Sequence, residues 1–222
     1  QFFSNISHEL RTPVTVIRGS VEALRDGIVT VPAEVRAYYD QVLRESQWLQ
    51  RLIQDLLELS RLQNAEFTLD SSVFNLSDLL GDVAMSTHAL CDGKGVVFHC
   101  QEPLRDYAFT GDYTRLRQML LAAADNAVKF TPAGKSVRLW LDHESPVIGI
   151  ADEGAGIPEE DMPHIFDRFR STRSANAEGT GLGLAIAGET ASRHGVQIRV
   201  ESKSETGTVF LFVFPTEAKP VK

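Results

Sequence analysis

Residues 4–13 read Ser4-Asn5-Ile6-Ser7-His8-Glu9-Leu10-Arg11-Thr12-Pro13, and the fold follows from how this stretch sits in its surroundings. Phe3, Leu10, Ile17 and Leu24 recur every seven residues through it, with Ile6, Val14 and Val21 widening the stripe. Such a repeat predicts a helix with a coiled-coil-like seam. His8 falls opposite the seam, so its imidazole is expected to face solvent, with Thr12 one turn further along the same face. Pro13 has no N–H to offer the carbonyl of Glu9, which predicts a bend costing about 3 kcal/mol if uncompensated. A neutral imidazole is a competent nucleophile toward a phosphoryl group when a neighbour holds its other ring nitrogen. Glu9 is placed to do that, and Thr12 to position a water. Alone, a His-Glu pair on a helix is more often a solvated surface pair than a reactive one.

Outward from this stretch, Gly27 to Pro32 interrupts the repeat. A second helix is predicted from about Ala33 to Leu62, with Val42, Leu49, Leu52, Leu56 and Leu59 on one face. Two long helices joined by a short loop make an antiparallel hairpin. The pair buries too little by itself, so a homodimer closing a four-helix bundle is expected. Asn64 to Ser72 is polar and reads as a linker. Beyond it, β-rich runs at Val96–Cys100, Val137–Asp142, Val147–Ala151, Gln197–Glu201 and Thr208–Phe214 alternate with helical stretches near Ser77–Asp92, Tyr113–Phe130 and Leu182–His194. That alternation predicts an α/β layer domain. The expected division is residues 1–66 for the hairpin and 67–222 for the second domain.

Composition narrows the function classes. A net charge of −8 argues against a general nucleic-acid partner, which would call for a basic face. Local dipoles can still hold an anion. Two cysteines, Cys91 and Cys100, form neither a metal pattern nor a disulfide framework, which points to a reducing compartment. No apolar run approaches the roughly 20 residues of a membrane span, so no direct membrane contact is expected. The chain opens inside an amphipathic pattern, which reads as a piece of a longer protein. His88, His99, His143, His164 and His194 are scattered without ligand spacing and read as solvated or core-edge residues.

Three further stretches suggest nucleotide chemistry. Asn126 and Lys129 share a face at the end of a predicted helix. An amide oxygen can ligate Mg²⁺, and a lysine beside it can offset phosphate charge. Asp152-Glu153-Gly154-Ala155-Gly156-Ile157 follows a strand. A buried carboxylate there can accept a hydrogen bond from adenine's amino group and disfavour guanine, while Gly154 and Gly156 permit a sharp, close turn. Gly179-Thr180-Gly181-Leu182-Gly183-Leu184 opens a helix, whose free N–H groups suit phosphate. Each stretch taken singly is weak. A Rossmann fingerprint would need glycine at Leu184, and a P-loop ending at Gly134-Lys135-Ser136 would need glycine at Lys129.

In order and spacing, these segments resemble the sensor histidine kinases of two-component systems. Ser7 to Pro13 is similar to the family's H-box. Gly111 to Lys129 is similar to its N-box and approach, although Ala122 stands where many relatives carry a polar residue. Asp152 to Ile157 resembles the G1 box, Phe166-Asp167-Arg168-Phe169-Arg170 the F-box, and Gly179 to Leu184 the G2 box. The resemblance implies an α/β sandwich of the histidine kinase, gyrase and Hsp90 type behind a dimeric helical hairpin. It implies a protein-histidine kinase that uses ATP and Mg²⁺ to phosphorylate His8, with Glu9 as acid–base helper and Thr12 serving dephosphorylation. The phosphoryl group would then pass to an aspartate on a response regulator's receiver domain. By the same resemblance Asn126 is the metal ligand. Lys129, Phe130, Asp152, Gly154, Gly156, Ile157, Arg170, Arg173, Gly179, Thr180, Gly181, Leu182 and Gly183 line the nucleotide, under a lid spanning Ser171 to Glu178. The chain would be the cytoplasmic portion of an inner- or plasma-membrane sensor. The alternatives are a phosphatase-dominant protein and a degenerate kinase acting as a dimeric ATP-sensing scaffold.

Overall fold

The computed structural model describes residues 2–64, 66–101, 103, 105–169, 179–203, 206–215 and 219–220. Helix α1 (Phe2–Arg25) runs unbroken through Pro13 and is followed by α2 (Pro32–Gln63). The Thr12 and Thr15 hydroxyls donate to the carbonyls of His8 and Arg11, at 3.3 and 2.8 Å, on either side of the donor that Pro13 lacks. The turn between the helices is chemically determined. Gly27 adopts φ +65°, and Ile28 and Gly27 donate their amides to the carbonyls of Ala23 and Leu24. This is a Schellman ending, which glycine alone enters without strain. Pro32 then opens α2, where a missing N–H costs nothing.

Leu10, Ile17 and Leu24 lie half-buried in the hairpin, while His8, Arg11 and Thr12 are exposed. Val14 and Val21, expected to widen the buried stripe, are instead 52% and 48% exposed. They lie on its flank, beyond the reach of one α2 helix.

The second domain contains β1 (Ser72–Asn75), α3 (Leu76–Lys94), β2 (Val97–Cys100), β3 (Tyr107–Gly111), α4 (Tyr113–Phe130), β4 (Ser136–Leu141), β5 (Val147–Asp152), α5 (Gly183–His194), β6 (Gln197–Lys203), β7 (Gly207–Val213) and β8 (Lys219–Pro220). The main sheet has order β2-β4-β5-β7-β6, with only β2 and β4 parallel. Helices α3, α4 and α5 cover one face of it. Val137, Leu139, Leu141, Ile148, Ile150, Phe210 and Phe212 point into that layer and are buried. Period-2 alternation in β4 puts Arg138 and Trp140 on the other face.

A second small sheet, β1-β3-β8, was not legible in the sequence. Its strands are only 4, 5 and 2 residues long. Ser72, read as linker, is already the first residue of β1.

A separate hydrophobic cluster joins the two domains. Leu52, Leu59 and Leu62 of α2 meet Leu182 and Ile186 at the start of α5, flanked by Leu10, Trp48, Leu56 and Phe169. Arg193 reinforces the joint by donating to the carbonyls of Leu62, at 2.6 Å, and of Asn64. Arg115 of α4 pairs with Glu58 and lies over the ring of Phe67.

Candidate functional site

The nucleotide segments converge at one end of α4 and α5. Asp112 caps α4 by accepting the Arg115 amide at 3.2 Å, which sets the helix's start and hence where its last turn falls. That last turn carries the half-buried Asn126 and Lys129, then Phe130, 48% exposed. Small residues on α4 allow α5 to approach closely. A Cβ on Gly183 would stand 3.7 Å from that of Ala122, and one on Gly179 would stand 3.4 Å from Lys129 Nζ. The lysine ammonium therefore faces the glycine-rich loop that opens α5.

At the end of β5, Asp152 Oδ1 accepts the amides of Gly154 at 2.8 Å and Thr208 at 3.3 Å. Burial raises the carboxyl above its ordinary range, against the pull of these two donors. Gly154 is required on steric grounds: its Cβ would lie 2.7 Å from the Phe130 carbonyl oxygen. Gly156 turns the chain at φ +72°, and the next amide, from Ile157, donates to Ser202 Oγ at 2.8 Å. A carboxylate held from behind, a cationic side chain opposite and a glycine-lined helix start form a cradle whose donors and acceptor suit an adenine nucleotide.

Phe166 and Phe169 follow β5 and the G1-like turn. Phe169 sits at φ +61°, a left-handed conformation costly for a bulky residue. Its amide donates to the Gly181 carbonyl at 2.9 Å while its side chain packs on the interdomain cluster. The interface thus uses the same residue that orders the loop. Arg170 and Arg173 lie outside the described residues.

Helix α1, which carries His8, borders this assembly through its neighbours Asn5 and Leu10. Leu10, two residues on, packs on the cluster that contains Leu182. An open hollow of about 330 Å³ is lined by Asn5 of α1 and by Phe166, Asp167, Arg168 and Phe169. Asn5 and His8 are three residues apart and share a helix side. Glu9 is half-buried beside the histidine. The expected residues therefore divide into two groups, one on α1 of the hairpin and one in the α/β domain.

Asp55, Glu58 and Arg193 shape the site and escaped the sequence reading. Thr180 Oγ1 donates to Asp55 Oδ2 of α2 at 2.5 Å and accepts the Leu182 amide at 3.3 Å. Glu58 and Arg193 tie the domains, as described above. Asp55 and Thr180 are 125 positions apart, and no local pattern could pair them. His194, set aside as a core-edge residue, accepts the Asp112 amide at Nε2, 3.0 Å away.

Comparison with known proteins agrees with this geometry. Residues 1–65 match the family model of the His Kinase A (phospho-acceptor) domain. Residues 111–218 match that of the histidine kinase-, DNA gyrase B- and HSP90-like ATPases. Sensor protein SrrB of Staphylococcus aureus is 32% identical over 96% of this chain; the chain spans 37% of that protein's length. Among solved structures, the histidine kinase AdeS of Acinetobacter baumannii superposes with a TM-score of 0.73 at 25% identity, covering 93% of this chain and 96% of that one. Histidine kinase ThkA, solved in complex with the response regulator TrrA, gives 0.76 at 25% identity over 96% of this chain and 60% of its own. Full-length ShkA in complex with AMPPNP gives 0.70 at 30% identity over 96% and 45%.

Proposed function

Because this chain belongs to the two-component sensor histidine kinases, we propose that it phosphorylates its own His8 from ATP and passes the group to an aspartate of a response regulator. The observation that carries this reading is an exposed imidazole on α1 at the level where α5's glycine-rich loop docks against the hairpin.

Asp152 and Gly154 would hold the adenine, and Lys129 with the first turn of α5 the phosphates. Asn126 would supply an amide oxygen to Mg²⁺, an ion that would offset phosphate charge. The protein's work is positioning and electrostatic stabilisation, since the transferred group brings its own chemistry. The unprotonated ring nitrogen of His8 forms the N–P bond as the bond to the departing ADP oxygen breaks. Glu9 receives the proton from the other ring nitrogen, so the phosphohistidine does not keep a positive charge. In the second half-reaction the phosphoryl group moves to a carboxylate oxygen of the receiver domain. Residues 1–66 serve dimerisation and phosphotransfer, and 67–222 catalysis. The complex of ThkA with TrrA supports a response-regulator partner for this chain by similarity.

Incubation with γ-labelled ATP tests the reading. Label that is acid-labile, base-stable and absent in His8→Gln is expected. A wild-type chain that binds ATP yet takes up no label would leave only an ATP-sensing scaffold.

A further inference from the structure

We propose that Asp55, a residue of the helical hairpin, belongs to the nucleotide site and weakens the binding of highly charged nucleotides. The inference rests on the ATP reading above. Asp55 lies on α2 and is half-buried against the loop that opens α5. It takes the hydroxyl hydrogen of Thr180, whose oxygen in turn takes the Leu182 amide. Docking therefore has two consequences for the loop. A hydroxyl donor and an amide donor that could face a phosphate are engaged elsewhere. A carboxylate is also planted beside the place where Lys129 and α5's first turn converge.

Burial disfavours the charge on Asp55, while Thr180 and the cation of Arg51 support it. The ionised carboxylate sits in partly desolvated surroundings, where like-charge repulsion exceeds its value in water. The repulsion scales with ligand charge, largest for a triphosphate and absent for a nucleoside. By reciprocity, whatever Asp55 subtracts from nucleotide affinity, the bound nucleotide subtracts from the docking of the two domains. The hairpin can thus set the affinity of a site in the other domain without touching the base.

The test is a ladder of ligand charge on the intact chain. Dissociation constants for ATP, ADP and adenosine are measured by competitive displacement, in wild type and Asp55→Asn. Asparagine keeps an acceptor for Thr180 and removes only the charge. ATP is expected to bind about three- to tenfold more tightly to the variant, ADP to gain less, and adenosine to be unchanged. Glu58→Gln, which loosens docking at the Arg115 pair and leaves the Asp55 charge in place, should by the same linkage move the ligands in the same order, ATP most and adenosine not at all. An equal gain across the ladder in Asp55→Asn would reduce Asp55 to a docking contact, and no gain or a loss would overturn the proposal. A wild-type chain that binds no adenine nucleotide would instead remove the underlying kinase reading.

Discussion

Asp152 holds the turn after β5 and, in the proposed site, would also read the base. Both backbone amides that hold it fall on Oδ1, so Oδ2 is the oxygen that would accept a base amino group in the proposed site. Asp152→Asn preserves the shape and can keep both amide bonds, but it turns the second position from acceptor to donor. Loss of a hydrogen bond to a charged acceptor is worth about 1.5–3 kcal/mol, so ATP affinity should fall roughly 10- to 100-fold with little change in melting temperature. The ATP-to-GTP preference should narrow with it. Calorimetric titration with both nucleotides reads the two effects. The sequence suggested an acceptor at this position, weakly from the carboxylate and its two spaced glycines and more firmly from their order among the other segments. Why Gly154 must be glycine was not legible: the obstructing atom is the carbonyl of Phe130, on a different element.

At the scale of elements, α4 and α5 are locked by a histidine that must stay neutral. Thr190's carbonyl can only accept, so the hydrogen of His194 sits on Nδ1, 2.8 Å away. Nε2 is then bare and accepts the Asp112 amide at 3.0 Å. Burial depresses this imidazole below its ordinary 6.5, reinforced by Arg115; the Thr190 carbonyl and the Asp112 carboxylate pull the other way. A base whose folded pKa is depressed stabilises the fold above its unfolded pKa and loses that contribution as pH falls. Stability should therefore decline as pH drops below about 6.5, until His194 itself protonates in the folded chain. Because Asp112 also pairs with Arg115, which holds Glu58, protonation loosens α4's cap and the interdomain tie together. Melting curves between pH 5.5 and 7.5 (about one unit either side of the unfolded value) should show a slope in wild type that is flattened in His194→Gln. The helices themselves were legible from apolar periodicity, which covers α3, α4 and α5 within a residue or two of their ends. The short strands β1, β3 and β8 were not, because their partners are each other and too few residues alternate to register a period.

For the whole molecule, the hairpin presents an apolar stripe that one chain does not cover. Tyr39, Leu43, Ile53 and Leu57 of α2 are 62%, 57%, 49% and 55% exposed and fall at helical spacing on one side, while α1 contributes Val14 and Val21. A second hairpin packed there would complete a four-helix bundle, the dimer expected from the sequence. Ile53→Asp together with Leu57→Asp should give a monomer by light scattering, since each buries a carboxylate in the bundle seam. The sandwich's far-ultraviolet signal should persist, because its core is a separate cluster.

The sequence alone determined the helical hairpin and the α/β layer behind it. Periodicity, glycine placement and residue type are local properties that neighbouring residues impose on one another. The tertiary structure alone decided that α5's glycine loop rests on α2, that Asp55 holds Thr180 and that Glu58 meets Arg115. Such pairings form between residues far apart in the chain. They are selected by which buried surfaces fit once the elements exist, and no stretch of sequence carries that information by itself.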